Sequence, residues 1–422
     1  MALRRRRKLA PSKISAIGSL AIFICMALTP NGFGGESRII PDFTLSQTYN
    51  DNLTFKAHNP IDDYIVMARP RLTWEHKTEK TLTVSFAEFT CRNHAAENEL
   101  DRTDHRYRLS HQWSITEKSG AAIMGLLQED NTIEQEFEEP DFIFYTSDRD
   151  LYQITPSFYW NLTERTRAEL AWNYIERNYG TTAYSDYTNK NGGLTISHLL
   201  ADRDTVLMFE SNYAHQHYPS YATTIDQYRF HLGLTYPLSE RLHLTAWSGA
   251  RYTETDYKQF IREFLGYGFH MGVLQPVFQE WHESKTEKNW GYIGLLKLTR
   301  SYEKGDISLE IQRDIDTSTA LGQTLQKDTI ACHSDYKIFR KLKARLHAEI
   351  TTKETEAETD NIKQTIYKIM PSVHWQLNEE LRLVLLYHYT KIKQSSQLAD
   401  FNHTTERNRV ILSITFNTET LF

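Results

Sequence analysis

His215-Gln216-His217 spaces two imidazoles onto one face of a strand, the spacing a metal-binding pair would need. The motif sits at a strand-to-loop junction with no carboxylate or cysteine beside it in sequence, and this fits a polar rim. None of the 17 histidines stands in the helical HExxH spacing of a zinc hydrolase. No stretch assembles a nucleophile, a base and an orienting group. The sequence therefore assigns no catalytic residue, no metal ligand and no cofactor. The chemistry left is electrostatic. Arg69, Arg71, Arg106, Arg108, Arg167, Arg229, Arg251, Arg345 and Arg382, with Lys343 and Lys368, recur on one face of alternating segments. Acidic residues on those faces are fewer: Glu75, Glu169, Glu310, Asp335 and Glu349. Such cations around a water-filled passage would favour anionic solutes. Mixed, paired charges that merely keep an interior wet are the other reading.

The elements that would carry these residues are strands with unlike faces. In DLYQITPSFYWNLTERTRAELAWNYIER, residues Asp150 to Arg177, the positions Tyr152, Ile154, Pro156, Phe158 and Trp160 alternate with Gln153, Thr155 and Ser157. After Thr163-Glu164-Arg165 the alternation resumes through Ala168, Leu170, Trp172 and Tyr174, which makes a hairpin. The unit repeats. Trp74, Trp113, Trp160, Tyr236 and Trp375 each precede a short polar turn, and PRLTW, PSFYW and PSVHW share one pattern. A recurrent proline in a strand predicts a shared local irregularity such as a bulge.

With LADRD, YEKGD and FRKLK added, eight short turns alternate with longer polar stretches at 92–104, 128–149, 178–190, 253–286 and 393–406. Eight inner turns with both chain ends on the same side predict eighteen antiparallel strands, within a range of 16–18. The expected fold is all-β, a transmembrane up-and-down barrel. Aromatic residues make up 12% of the chain while mean hydropathy is −0.56, as expected when apolar residues face lipid on one side of each strand only. The five aromatic residues before the short turns would form a girdle at the periplasmic interface. A soluble sandwich or propeller explains the alternation but not that placement.

Residues 1–34 read as a signal peptide: a basic MALRRRRKLAPSK, an apolar ISAIGSLAIFICMAL, and small residues at Gly32 and Gly34. The barrel would occupy 35–422. Removing six basic and no acidic residues takes the formal charge from −6 to −12, which speaks against nucleic acid as a partner. Cys91 and Cys332 would lie far apart around such a barrel and stay unlinked. The stretch Tyr257 to Glu283 is apolar without alternation and is expected to be a long loop packed into or over the outer mouth. The acidic Gln128 to Phe142 reads as a solvated charge run.

The chain ends RVILSITFNTETLF, a strand with Val410, Leu412, Ile414, Phe416 and finally Phe422 on one face. With SQTYNDNLTF and the PSFYWNLTER and PSVHWQLNEE repeats, this strand resembles the β-barrel porin type 2 family, over about residues 40–422. The resemblance implies an outer-membrane protein of a Gram-negative bacterium. Its partners would be outer-membrane lipid, the barrel-insertion machinery reading Phe416 and Phe422, and polysaccharide export components. Its activity would be passive passage of exopolysaccharide or another polar, anionic carbohydrate. An outer-membrane hydrolase and a closed structural or assembly barrel are the alternatives.

Overall fold

The computed structural model describes the backbone of residues 35–132, 146–201, 204–270, 273–318, 323–355, 362–396, 401–418 and 420–421, and the side chains among these except 259–282, 396, 401 and 420–421. The signal-peptide residues 1–34, most of the acidic run (133–142) and Phe422 lie outside the described residues.

The first nine strands are β1 (Glu36–Asn50), β2 (Asp63–Lys77), β3 (Thr81–His94), β4 (Arg102–Thr116), β5 (Ser119–Asn131), β6 (Asp148–Asn161), β7 (Thr166–Tyr179), β8 (Tyr187–Leu199) and β9 (Val206–Tyr218). The next nine are β10 (Thr223–Ser239), β11 (Leu242–His270), β12 (Val273–Tyr302), β13 (Gly305–Ser318), β14 (Gln323–Phe339), β15 (Leu342–Thr355), β16 (Ile362–Gln376), β17 (Leu381–Ser396) and β18 (Phe401–Asn417). Each pairs antiparallel with its neighbour in sequence. The barrel closes where β1 meets β18, from Asp42–Asn417 to Asn50–Arg409, and a two-residue continuation, Thr420–Leu421, extends the seam to Arg38. Eighteen strands span the barrel, as the hairpin repeat predicts, and closure leaves no open sheet edge there. The eight predicted short turns all fall between paired strands at one end.

The face alternation is explicit. Phe43, Leu45, Val66, Leu72, Ile154, Phe158, Leu170, Phe230, Leu232 and Leu412 are exposed on the outer surface, while their neighbours in sequence point to the interior. Trp113, Trp160, Tyr236 and Trp375 are exposed on that outer face near the short turns. Trp74 is instead buried, stacked 5.9 Å from His76. A second aromatic row lies toward the other end of four neighbouring strands. Tyr213, Tyr228, Tyr252 and Trp290 follow one another across β9–β12 at ring-centroid distances of 5.0, 6.1 and 4.9 Å. Tyr228 and Tyr236 both lie on β10, eight residues apart, which is about 27 Å of strand. At a strand tilt of about 40° the belts stand about 20 Å apart, close to the apolar band of an outer membrane.

Two expectations are corrected. The stretch 257–283 is not an irregular loop: β11 and β12 stay paired from Leu242–Arg300 to His270–Val273. β10 leaves β11 at Asp256 and β13 joins β12 only at Gly294, so the end of this hairpin is a free-standing two-stranded ribbon. The shared prolines are not bulges either. At Pro70, Pro156 and Pro371 the ladder to the following strand skips two residues and then resumes in unchanged register. The missing N–H interrupts the ladder without inserting a residue. Register shifts fall elsewhere, three of them next to short turns: Ser114/Thr116, Pro237/Ser239 and Lys337/Phe339.

Candidate functional site: the lumen and its outer constriction

Strand register places Arg69 and Arg71 on β2, Arg106 and Arg108 on β4, Arg167 on β7, Arg229 on β10, Arg251 on β11, Arg345 on β15 and Arg382 on β17 on the face opposite the exposed apolar residues. Lys343 and Lys368 share that interior face. Many of these cations are matched. Arg71 bonds Glu88, whose side chain is 7% exposed, and Arg69 stands 3.9 Å from the same carboxylate. Arg167 lies 2.9 Å from Glu169, Arg229 3.7 Å from Asp314, and Lys368 3.6 Å from Glu349. Arg345 bonds Asp335. Among the described residues, Arg106, Arg108, Arg382 and Lys343 have no carboxylate within ion-pair distance, so their charge is available to a passing solute.

The interior also holds cations that face alternation alone did not single out. Arg149 meets Asp130 with Nε to Oδ1 at 2.7 Å, Arg92 bonds Asp104, and Lys353 stands 3.2 Å from Asp316. Arg92 and Arg149 belong to strand ends that the sequence reading assigns to loops, at 92–104 and 128–149. Together with Arg69, Arg106 and Arg177, Arg92 and Arg149 line a polar cavity of about 480 Å³ in the wall of β2–β7. Arg71 and Arg106 place their guanidinium carbons 4.7 and 5.8 Å from the Phe86 ring centroid, which gives this wall one apolar surface between two cations.

Three segments turn inward at the end away from the short turns. The β1–β2 connection, residues 51–62, is held by Asn52: its Nδ2 donates to the carbonyls of Lys56 and Glu406 at 2.8 and 3.0 Å, and its Oδ1 accepts from Lys56 N–H at 2.9 Å. That turn sets Phe55 at φ 51° and drives its ring onto Ile366 and Ile392, interior residues of β16 and β17. From the β7–β10 side, Tyr179, Tyr184, Tyr187 and Tyr218 pack with Ile225. Third, β13 leaves β12 beyond Arg313 but stays with β14 to Ser318–Gln323. Ile315, Asp316 and Thr317 then line one cavity with Tyr187, Gln216 and Arg229 of the other wall. Eighteen strands leave room for an aqueous interior, and these three aromatic-rich segments occupy part of it at this end.

No family model matches the chain, and no curated protein matches it. Solved structures do. OccK2 (OpdF) of Pseudomonas aeruginosa matches over 90% of this chain and 98% of its own, at 8% identity and a TM-score of 0.51. The fold is that of an outer-membrane barrel. P. aeruginosa OpdK, solved with vanillate, covers 91% of this chain and 99% of its own at 8% identity and a TM-score of 0.48. The ferric-catecholate import receptor Fiu of E. coli covers 90% of this chain and 81% of its own at 9% identity and a TM-score of 0.48. At these identities the likeness concerns architecture, and the family implied by the sequence patterns is not shown.

His215 and His217 lie on the outer face of β9, not in the lumen. Asp226 of β10 comes 2.9 Å from His215 Nδ1, so a carboxylate does stand beside the motif, brought by strand pairing and not by sequence. Among the described residues no group of three or more His, Cys, Asp or Glu side chains converges as a metal cage. Cys91 and Cys332 are free, on β3 and β14.

Proposed function

We propose that the chain is a passive outer-membrane channel for small polar anions, with anionic carbohydrate as the solute class that the sequence resemblance implies. The observation that carries this reading is the lumen face itself. Arg106, Arg108 and Arg382 add unmatched positive charge to an interior whose other cations are largely paired. Such charge lowers the barrier for anions without any energy source. The inward segments favour a small solute or a single extended polymer over a folded macromolecule. The apolar outer face meets lipid, and the C-terminal strand, with Phe416 exposed beside Phe43 on that face, serves as the signal for barrel insertion.

Reconstitution in planar bilayers tests the proposal. Anion-selective steps that reverse on the triple substitution of Arg69, Arg71 and Arg108 to Glu support it. A second reading, a closed structural or assembly barrel, is favoured by the burial of Phe55 and Tyr218 to 3% and 0% exposure within the barrel. Absence of any conductance in correctly folded protein would favour that reading.

A further inference from the structure

His333 on β14 and His347 on β15 are register partners on the lumen face. Their Nδ1 atoms stand 2.8 Å apart and their ring centroids 4.3 Å apart. His347 Nε2 lies 3.3 Å from Glu349 Oε2. A carboxylate accepts, so this nitrogen carries the proton and Nδ1 of His347 keeps its lone pair. The contact between the two rings then has His333 Nδ1–H donating to His347 Nδ1. A carboxylate on the far nitrogen is also the partner that orients an imidazole for metal binding and raises its basicity.

The same level of the wall carries a thioether and a third imidazole, the latter with its nitrogens already bonded to Arg409 and Thr390. Met370 of β16 is the register partner of His347, and His388 of β17 faces Met370 between the pairs Ile369–Tyr389 and Ser372–Leu386. Charge around the pair is balanced. Lys297 is 3.0 Å from Glu310, and Lys368 is 3.6 Å from Glu349.

We propose that His333 and His347, oriented by Glu349, form a lumen-wall site for a divalent transition ion that prefers imidazole nitrogen, Cu²⁺ above Ni²⁺ and Zn²⁺. Two bonds of about 2.0–2.1 Å at a right angle need nitrogens about 3 Å apart, close to the distance already present. On binding, the His333 proton moves from Nδ1 to Nε2 by exchange with lumen water, both rings stay neutral, and water completes the coordination beside Met370. The bound ion adds positive charge to the wall and alters the current through the pore.

The test uses the full mature chain, folded in detergent with any affinity tag removed and titrated with CuCl₂. Electron paramagnetic resonance should show one saturable site with coupling to two imidazole nitrogens. His333→Asn or His347→Asn should weaken binding at least tenfold, and Glu349→Gln by about tenfold. Unchanged binding in the double histidine variant, or loss of binding in a His215→Asn/His217→Asn variant instead, overturns the proposal. A measurement on the unaltered chain stands beside these. Zn²⁺, but not Mg²⁺, should slow diethyl pyrocarbonate modification of His333 and His347, read by mass spectrometry, and equal modification with and without Zn²⁺ overturns the site.

Discussion

The guanidinium carbon of Arg407 lies 3.5 Å from the ring centroid of Phe55, with Ile366 and Ile392 against the same phenyl group. A residue of the β1–β2 connection is thereby fastened to the far side of the barrel seam. Arg407 is fully buried, so the cation–π contact forms away from water, where it is worth about 2 kcal/mol. Phe55→Ala should release the segment, since burial of a phenylalanine contributes about 2–3 kcal/mol. Single-channel conductance should rise and segment 51–62 should become cleavable by added protease, while the barrel keeps its heat-modifiable migration. If conductance stays constant while the segment becomes cleavable, this connection does not set the aperture. Deleting 257–283 is the matching control for the ribbon, which would raise conductance only if the ribbon narrows the mouth.

Arg108 and Arg71 should behave differently although both line the lumen. Arg108 has no carboxylate partner among the described residues, so Arg108→Ala should lower anion preference with stability nearly unchanged. Among the described residues, Arg71→Ala leaves Glu88, 7% exposed at its side chain, with Arg69 at 3.9 Å as its remaining ion-pair partner. This should cost about 1–3 kcal/mol of stability, below the full cost of breaking a buried pair because Arg69 remains. Reversal potentials in a KCl gradient and unfolding temperatures separate the two effects.

Pro371→Ala, and equally Pro70→Ala or Pro156→Ala, should change stability by less than about 1 kcal/mol and leave strand pairing intact. The register on either side of each proline is already continuous, so the alanine N–H only fills a gap in the ladder. A bulge would behave otherwise, because the substitution would favour a one-residue slip that turns side chains to the wrong face. Hydrogen exchange across Ile369 to Ser372 distinguishes the outcomes.

Truncation after Asn417 removes Thr420 and Leu421, which pair with Ile39 and Arg38, but keeps the nine register pairs from Asp42–Asn417 to Asn50–Arg409. The truncated chain should still fold in detergent, yet insert poorly into outer membranes in cells. Equal loss in both settings would mean that the end of the chain is needed for the barrel itself and is not an assembly signal.

Much of the architecture was legible because a barrel strand sees lipid on one face and water on the other. That contrast writes a two-residue period into the chain, and the eight short turns set the strand number. Inward placement of Arg69, Arg106 or Arg382 follows from the same parity. The upper belt of Tyr213, Tyr228, Tyr252 and Trp290 was not legible, because its members come from four strands and share no turn motif. The ribbon of β11 and β12 read as a loop because its sequence lacks a two-residue period, and its backbone pairing came only from the structure.

By itself, the sequence determined which residues look outward, how many times the chain crosses the wall, and that no familiar catalytic motif is present. Tertiary structure alone decided what meets across strands: Arg71 with Glu88, His333 with His347, Phe55 with Arg407. The reason is that parity along one strand is local, imposed residue by residue by the solvent on each side. Partnership between strands depends on register and on where a connection folds back, and these are settled only when the whole cylinder closes.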